Sequence, residues 1–266
     1  MTTKAFAPAS VTGLFAPAPP EGGGTSRGAS FALEDGVVVA LDPAPETSVT
    51  VDGDPASFEP VERVLDALDV TASVDVRPEV PLGHGFGASG AATLATALAA
   101  NAAVEGGRNR SELLQAAHEA EMTAGTGQGD VFIQDRGGLL WTADGDPRRV
   151  EPDVPVEYVS RGGIDTSEML ADEDAMAAAY RSGSKHLEAI DSPLTMRSLA
   201  ERSWAYLQET GFATPFVEAT MATVEAAGGA GSMALFGDAV FAVDVDGVLE
   251  HRTRVSTTGA HLIDGE

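Results

Sequence analysis

The chain has 266 residues, of which 16 are basic and 41 acidic for a formal charge of −25; 43% are hydrophobic and none is cysteine. That apolar share fills the core of one large domain or of two smaller ones sharing an interface. Without thiols there are no disulfides, zinc–thiolate sites, iron–sulfur clusters or thiol catalysis, and so negative a field makes nucleic acid and anionic membranes poor partners.

No run reaches the ~20 apolar residues of a membrane span; the longest, Ala91 to Val104, is interrupted by Thr93, Thr96 and Asn101. The N-terminus lacks the charged start and apolar middle of a signal peptide, so a cytoplasmic location is expected. His84, His118, His186, His251 and His261 show no ligand-like pairing, which leaves a hard cation held by oxygen atoms as the expected kind of metal. Lys4 and Lys185 are the only lysines, and the acids are scattered rather than blocked. This pattern reads as solvation and is similar to that of cytoplasmic, halophilic proteins.

In chain order, Phe15–Gly24 reads as a loop from its prolines and glycines. Ala32–Leu41 and Val49–Val51 read as strands, Val61–Leu68 as a helix and Ser73–Arg77 as a strand. A glycine-rich segment, Pro81–Ala92, leads into an alanine-rich helix to about Val104. Ser111 is the expected N-cap of a helix reaching Met122, broken at Gly125–Gly129. Val131–Trp141 reads as strand with a turn at Gly137–Gly138. The polar run TADGDPRR (142–149) is the expected boundary between domains 1–150 and 151–266. Beyond it come a strand at Val154–Val159 and helices near Ser167–Ile190, Leu194–Glu209 and Pro215–Ala226. The glycine-rich run GGAGSMALFG (228–237) reads as a turn, and two short strands follow within Phe236–Leu249. Without regular βα alternation the order points to an α+β protein in two lobes.

The run PLGHGFGASGAA (81–92) is the most informative. Closely spaced glycines turn N–H groups toward one point and let an anion approach without obstruction by Cβ atoms. Ser89 follows at a helix start, where free N–H groups and the dipole favour phosphate. The plain alternative is a glycine-rich turn with Ser89 as an ordinary cap. A Walker A loop is excluded because no lysine is present. Gly85-x-Gly87-x-x-Gly90 matches the dinucleotide fingerprint, yet Pro78 and Pro81 occupy the place of the preceding strand.

The same run resembles the phosphate motif P-x-x-x-G-L-G-S-S-A-A of the GHMP kinase superfamily, with Phe86, Ala88 and Gly90 as departures. APASVTGLF (7–15) and GGAGSMALFG (228–237) resemble that superfamily's first and last motifs in place and order. Within it, TSRGA (25–29), AHEAE (117–121), GTGQGD (125–130) and GSMALFGDAVFA (231–242) are similar to the archaeal pantoate kinases. The resemblance implies a two-lobed fold: an N-terminal lobe like ribosomal protein S5 and a ferredoxin-like C-terminal lobe, with ATP and substrate between them. It also implies transfer of the γ-phosphate of ATP to the 4-hydroxyl of pantoate, on the archaeal route to coenzyme A, with Mg2+. Another acceptor (mevalonate, homoserine, shikimate or a sugar) and a non-catalytic nucleotide-binding regulator stay open, and a homodimer is a reasonable expectation.

On this resemblance Gly83, His84, Gly85, Gly87, Ala88, Ser89 and Gly90 bind ATP. Asp130 is the base that accepts the hydroxyl proton. Mg2+ falls to Ser89 with Glu121 or Glu119; two residues apart on a helix, the glutamates point in different directions. Arg27 suits the substrate carboxylate, because a planar guanidinium matches one, with Ser26, Thr12 and Ser10 alongside and Arg161 as a weaker candidate. Relatives carry a basic residue where Ser10 stands. So acidic a protein must offset the charge of ATP with backbone N–H groups, magnesium and a few arginines.

Overall fold

The computed structural model describes residues 2–263 apart from 20–24, 128, 144, 165–171 and 191–192. The end of the Phe15–Gly24 loop, Gln128 of GTGQGD, Asp144 of TADGDPRR and the start of the helix expected from Ser167 therefore lie outside the described residues.

The N-terminal half is built on two long strands, β1 (Thr3–Ala16) and β2 (Arg27–Pro43), paired antiparallel from Thr3↔Leu41 to Ala16↔Arg27 with two register shifts. β3 (Ser48–Val51), β4 (Asp54–Pro55) and β5 (Ala72–Pro78) extend the sheet beyond β2. β6 (Leu139–Thr142) pairs with β2 and with β7 (Pro147–Val150), so Thr142 and Pro147–Arg149 of TADGDPRR belong to the paired strands of a hairpin inside this sheet. A second, four-stranded antiparallel sheet has the order β11-β8-β10-β9, formed by β8 (Pro155–Gly163), β9 (Ala230–Met233), β10 (Gly237–Val243) and β11 (His251–Arg254). The last strand, β12 (His261–Ile263), returns to the first sheet beside β1.

Helices α1 (Glu59–Ala67), α2 (Ala88–Ala103), α3 (Arg110–Ala124) and α4 (Asp130–Arg136) accompany the first sheet. α2 lies against β1 and β2 and is itself covered by α1 and α3. Its interior position explains why it is apolar nearly all round: Gly90 through Ala100 are buried without a break. α5 (Glu173–Glu188), α6 (Met196–Thr210) and α7 (Pro215–Ala226) follow; α6 and α7 pack on β9, while α5 and α6 also touch β1. No helix among the described residues is long and apolar enough to cross a membrane.

Four local expectations are corrected. The cap of α3 is Asn109, not Ser111: its side chain accepts from the Glu112 N–H while Glu112 reaches back to the Asn109 N–H, a reciprocal arrangement that Ser111 lacks. Residues 131–136 form α4 rather than a strand. β-Branched Val131 and Ile133 favour strand locally, but Asp130 in the first turn complements the helix dipole and Gly137 ends the helix. Phe15, expected to open a loop, still belongs to β1, and β2 begins at Arg27. The glycine run 228–237 contains β9, whose Gly231 lies so close to the Phe241 carbonyl that no side chain fits there.

Candidate active site

Three stretches far apart in sequence meet beside the phosphate turn. The N–H of Ser10 on β1 donates to the Phe86 carbonyl at 2.9 Å, and the N–H of Leu235 donates to the Thr12 carbonyl at 3.0 Å. A β-carbon at Gly85 would stand 2.7 Å from the Ala234 oxygen and 2.9 Å from the Gly237 nitrogen. The first motif, the phosphate turn and the last motif are thus in direct backbone contact.

The turn has φ values of +76° at Gly83, +87° at Gly85 and +61° at Gly87, a left-handed region that strains residues bearing a side chain. Gly87 is the N-cap of α2 and provides no side-chain cap, which leaves the first-turn amides aimed at whatever anion approaches. Ala88 is buried, Ser89 and Gly90 occupy the first turn, and Gly83 is exposed. His84 hydrogen-bonds through Nδ1 to Ser160 Oγ at 2.7 Å, fastening the turn to β8.

Behind Ser89 lies Glu121 of α3, 2% exposed. Its Oε1 accepts from Ser89 Oγ at 2.9 Å and Thr93 Oγ1 at 2.7 Å, and its Oε2 accepts from Thr126 Oγ1 at 2.9 Å. Burial raises its pKa, and the three hydroxyls only partly offset that. Glu119 is exposed and accepts from Gln115 on the outer face of the helix at 2.7 Å, so the structure brings Glu121 and not Glu119 to Ser89.

Asp130 opens α4 across from this group. A β-carbon at Gly127 would lie 2.9 Å from Glu121 Oε2 and 3.8 Å from Asp130 Oδ2, so both carboxylates border one small space. Burial and the facing Glu121 push the Asp130 pKa up to about 6, against the pull of a hydrogen bond from Thr12. The Thr12 hydroxyl is in turn 2.8 Å from Ser30 Oγ.

The oxygen-only set of Ser89, Thr93, Glu121 and Thr126 suits magnesium, which is commonly held by one or two carboxylates together with substrate phosphates. Among the described residues no group of three or more His, Asp or Glu is placed to hold a metal ion.

The remaining candidates lie further out. Arg27 donates from Nη1 to the Ala143 carbonyl and from Nη2 to Ser184 Oγ, both at 2.6 Å, and stands 3.5 Å from Glu188. Ser26 is exposed just before β2. Arg161 is exposed with its guanidinium 4.4 Å above the Phe216 ring. His118 packs against Phe132 with ring centroids 4.9 Å apart.

Sequence reasoning missed Thr93, Thr126, Ser30, Ser160 and Gln134. Thr93 was legible in principle, since it lies four residues after Ser89 on the same helical face. Thr126 lies five residues after Glu121, past the end of the same helix, whereas Ser30, Ser160 and Gln134 depend on contacts between segments distant in the chain.

The family of GHMP kinases N terminal domain matches residues 59–138. A pantoate kinase of Thermococcus kodakarensis is 30% identical over 212 residues, covering 71% of this chain and 70% of the relative. A pantoate kinase of Methanospirillum hungatei is 26% identical over 255 residues, covering 90% and 86%. Among solved structures, a phosphotransferase related to the CoA biosynthesis pathway superposes with a TM-score of 0.84 at 24% identity over 98% of both chains. The phosphate turn, the paired carboxylates and these relatives agree: the chain is a small-molecule kinase of the GHMP superfamily and belongs to the pantoate kinase family.

Proposed function

We propose that the protein transfers the γ-phosphate of ATP to the 4-hydroxyl of pantoate, giving 4-phosphopantoate for coenzyme A synthesis. The observation that carries this reading is the pairing of Ser89 with Glu121 at the mouth of the phosphate turn, with Asp130 bordering the same space.

Each residue has a role that its surroundings support. The amides of residues 83–90 hold the phosphates, replacing the lysine that a Walker A loop would use. Ser89 and Glu121 hold magnesium, which supplies charge neutralisation at the phosphate oxygens. Asp130 takes the proton of the attacking hydroxyl at its carboxylate; a pKa near 6 leaves it ionised at neutral pH yet basic enough to act. Thr12 orients that carboxylate through its hydroxyl. Arg27 holds the substrate carboxylate by exchanging part of its present hydrogen bonding to Ser184 and Ala143, with Ser26 beside it. Ser10, 1% exposed, serves the phosphate turn rather than standing open to substrate.

The test is ADP release from Mg–ATP in high potassium chloride, with pantoate assayed beside mevalonate, homoserine, shikimate and galactose. Turnover with pantoate alone is expected. Turnover with another member of the panel overturns the acceptor and keeps the kinase. Nucleotide binding without any turnover favours a regulatory binder.

A further inference from the structure

Gln134 is completely buried, and it follows Asp130 by one helical turn on α4, so the two side chains leave the same face of the helix. A buried amide needs partners; here the nitrogen finds two, in two other elements, while the oxygen is buried without one among the described residues. Its Nε2 donates to the Gly87 carbonyl at 2.7 Å and to Ser10 Oγ at 3.1 Å. Because a carbonyl can only accept, the nitrogen must face the Gly87 carbonyl, which turns the oxygen toward Gly90. Ser10 closes the circuit by donating its own N–H to the Phe86 carbonyl at 2.9 Å. Gln134 therefore touches the first motif, the cap of the phosphate-binding helix and the helix of the proposed base together.

The neighbouring glycines show how close this approach is. A β-carbon at Gly87 would fall on Ser10 Oγ and lie 2.8 Å from Gln134 Nε2 and 3.5 Å from the Asp130 β-carbon. One at Gly90 would lie 2.9 Å from Gln134 Oε1 and 3.5 Å from the same Asp130 atom. Nothing but hydrogen stands between the first turn of α2 and the side chains of α4. The Ala260 N–H donates to the Gln134 carbonyl at 2.8 Å and holds α4 from the side of the C-terminal segment.

We propose that Gln134 is a positioning residue that holds the phosphate-binding turn, and with it Ser89, at a fixed separation from Asp130. It touches no reacting atom and acts through Gly87 and Ser10. The inference rests on the kinase reading above, so turnover of the unaltered protein with pantoate is established first.

Gln134→Met keeps the length of the side chain and removes the donor; Gln134→Asn keeps the amide but withdraws it by one methylene. In folded Gln134→Met, kcat is expected to fall about a hundredfold, the scale of a misplacement of ~1 Å. KM for ATP is expected to rise several-fold and KM for pantoate to stay unchanged, with a smaller loss of the same kind in Gln134→Asn. A purely structural role lowers the melting temperature and leaves these constants at parental values; that result in either folded variant overturns the proposal, as does failure of both to fold. Mg–ADP binding by calorimetry separates the two ideas. If the parent phosphorylates none of the acceptors, the functional reading fails, whereas weaker binding to Gln134→Met still supports the coupling and equal binding removes it.

Discussion

Ser89 Oγ donates to Glu121 Oε1 at 2.9 Å, linking the phosphate-binding helix to a carboxylate 32 residues further along the chain. The carboxylate is buried and receives two further hydroxyls, from Thr93 and Thr126. A buried glutamate so surrounded is held in one orientation, as the magnesium role proposed for it requires.

Glu121→Ala is therefore expected to lower turnover roughly 100-fold and to move the magnesium optimum to higher concentration. Glu119→Ala, on the exposed face beside Gln115, is expected to stay within about twofold of the parent, as surface changes usually do. Rates measured across a magnesium titration check both. A loss in Glu119→Ala equal to that in Glu121→Ala would sink the assignment.

Asp130→Asn is expected to lower kcat by about 10^3-fold with little effect on nucleotide binding, within the range for removal of a general base. The pH dependence follows from the raised pKa. A carboxylate lifted from 3.8 to about 6 in the folded protein binds its proton more tightly folded than unfolded. Its charge thus destabilises the fold above about pH 6, and that destabilisation is relieved as pH falls through 6 toward 4. In nucleotide-free protein, Asp130→Asn should melt higher than the parent at pH 8, and the gap should close toward pH 5. Turnover runs the other way, falling as acid protonates the base; bound magnesium, by countering Glu121, moves that limb below 6. An Asn variant that melts lower than the parent at pH 8 contradicts the buried-charge account.

Arg27 is tied to Ser184 and the Ala143 carbonyl at 2.6 Å each. Arg27→Ala is expected to raise KM for pantoate tenfold or more, a loss of roughly 1.4 kcal/mol or greater, with KM for ATP unchanged. Arg27→Lys should recover part of the loss, because the charge remains while the planar fork is gone. Steady-state kinetics with each substrate varied in turn decides this; equal changes in both constants would point to a structural role at the junction of β2 and α5.

A methyl group at Gly237 would collide with the carbonyl of His84 and stand 2.9 Å from the Gly85 nitrogen, both backbone atoms of the phosphate turn. Relief requires the turn itself to shift. Gly237→Ala is expected to cost about 1–3 kcal/mol of stability and to weaken Mg–ATP binding measured by calorimetry. Unchanged nucleotide affinity would show that the last motif does not set the shape of the phosphate turn.

Much of this was legible from the residues. The glycine spacing of 81–92, with no lysine to complete a Walker A loop, pointed to a phosphate held by amides at a helix start, and α2 begins there with Gly87 as its cap. The alternation in residues 73–77 pointed to β5, because a half-buried strand writes its two faces directly into the chain, and the strand expected at 32–41 lies within β2. Asp130 and Glu121 were nameable because they stand in motifs.

The tertiary structure decided the rest, for a physical reason in each case. Residues 131–136 carry β-branched Val131 and Ile133 and favour strand by themselves; packing against α2, Asp130 in the first turn and the Gly137 stop make them a helix, and that puts Asp130 and Gln134 on one face. The choice between Glu119 and Glu121 depended on which side of α3 meets Ser89, a matter of helix rotation. β12 crosses back to β1 from the far end of the chain, and Gln134 joins Gly87 and Ser10 over separations of 47 and 124 residues. Local sequence records propensities and close neighbours, whereas contacts of that length exist only once the chain has folded.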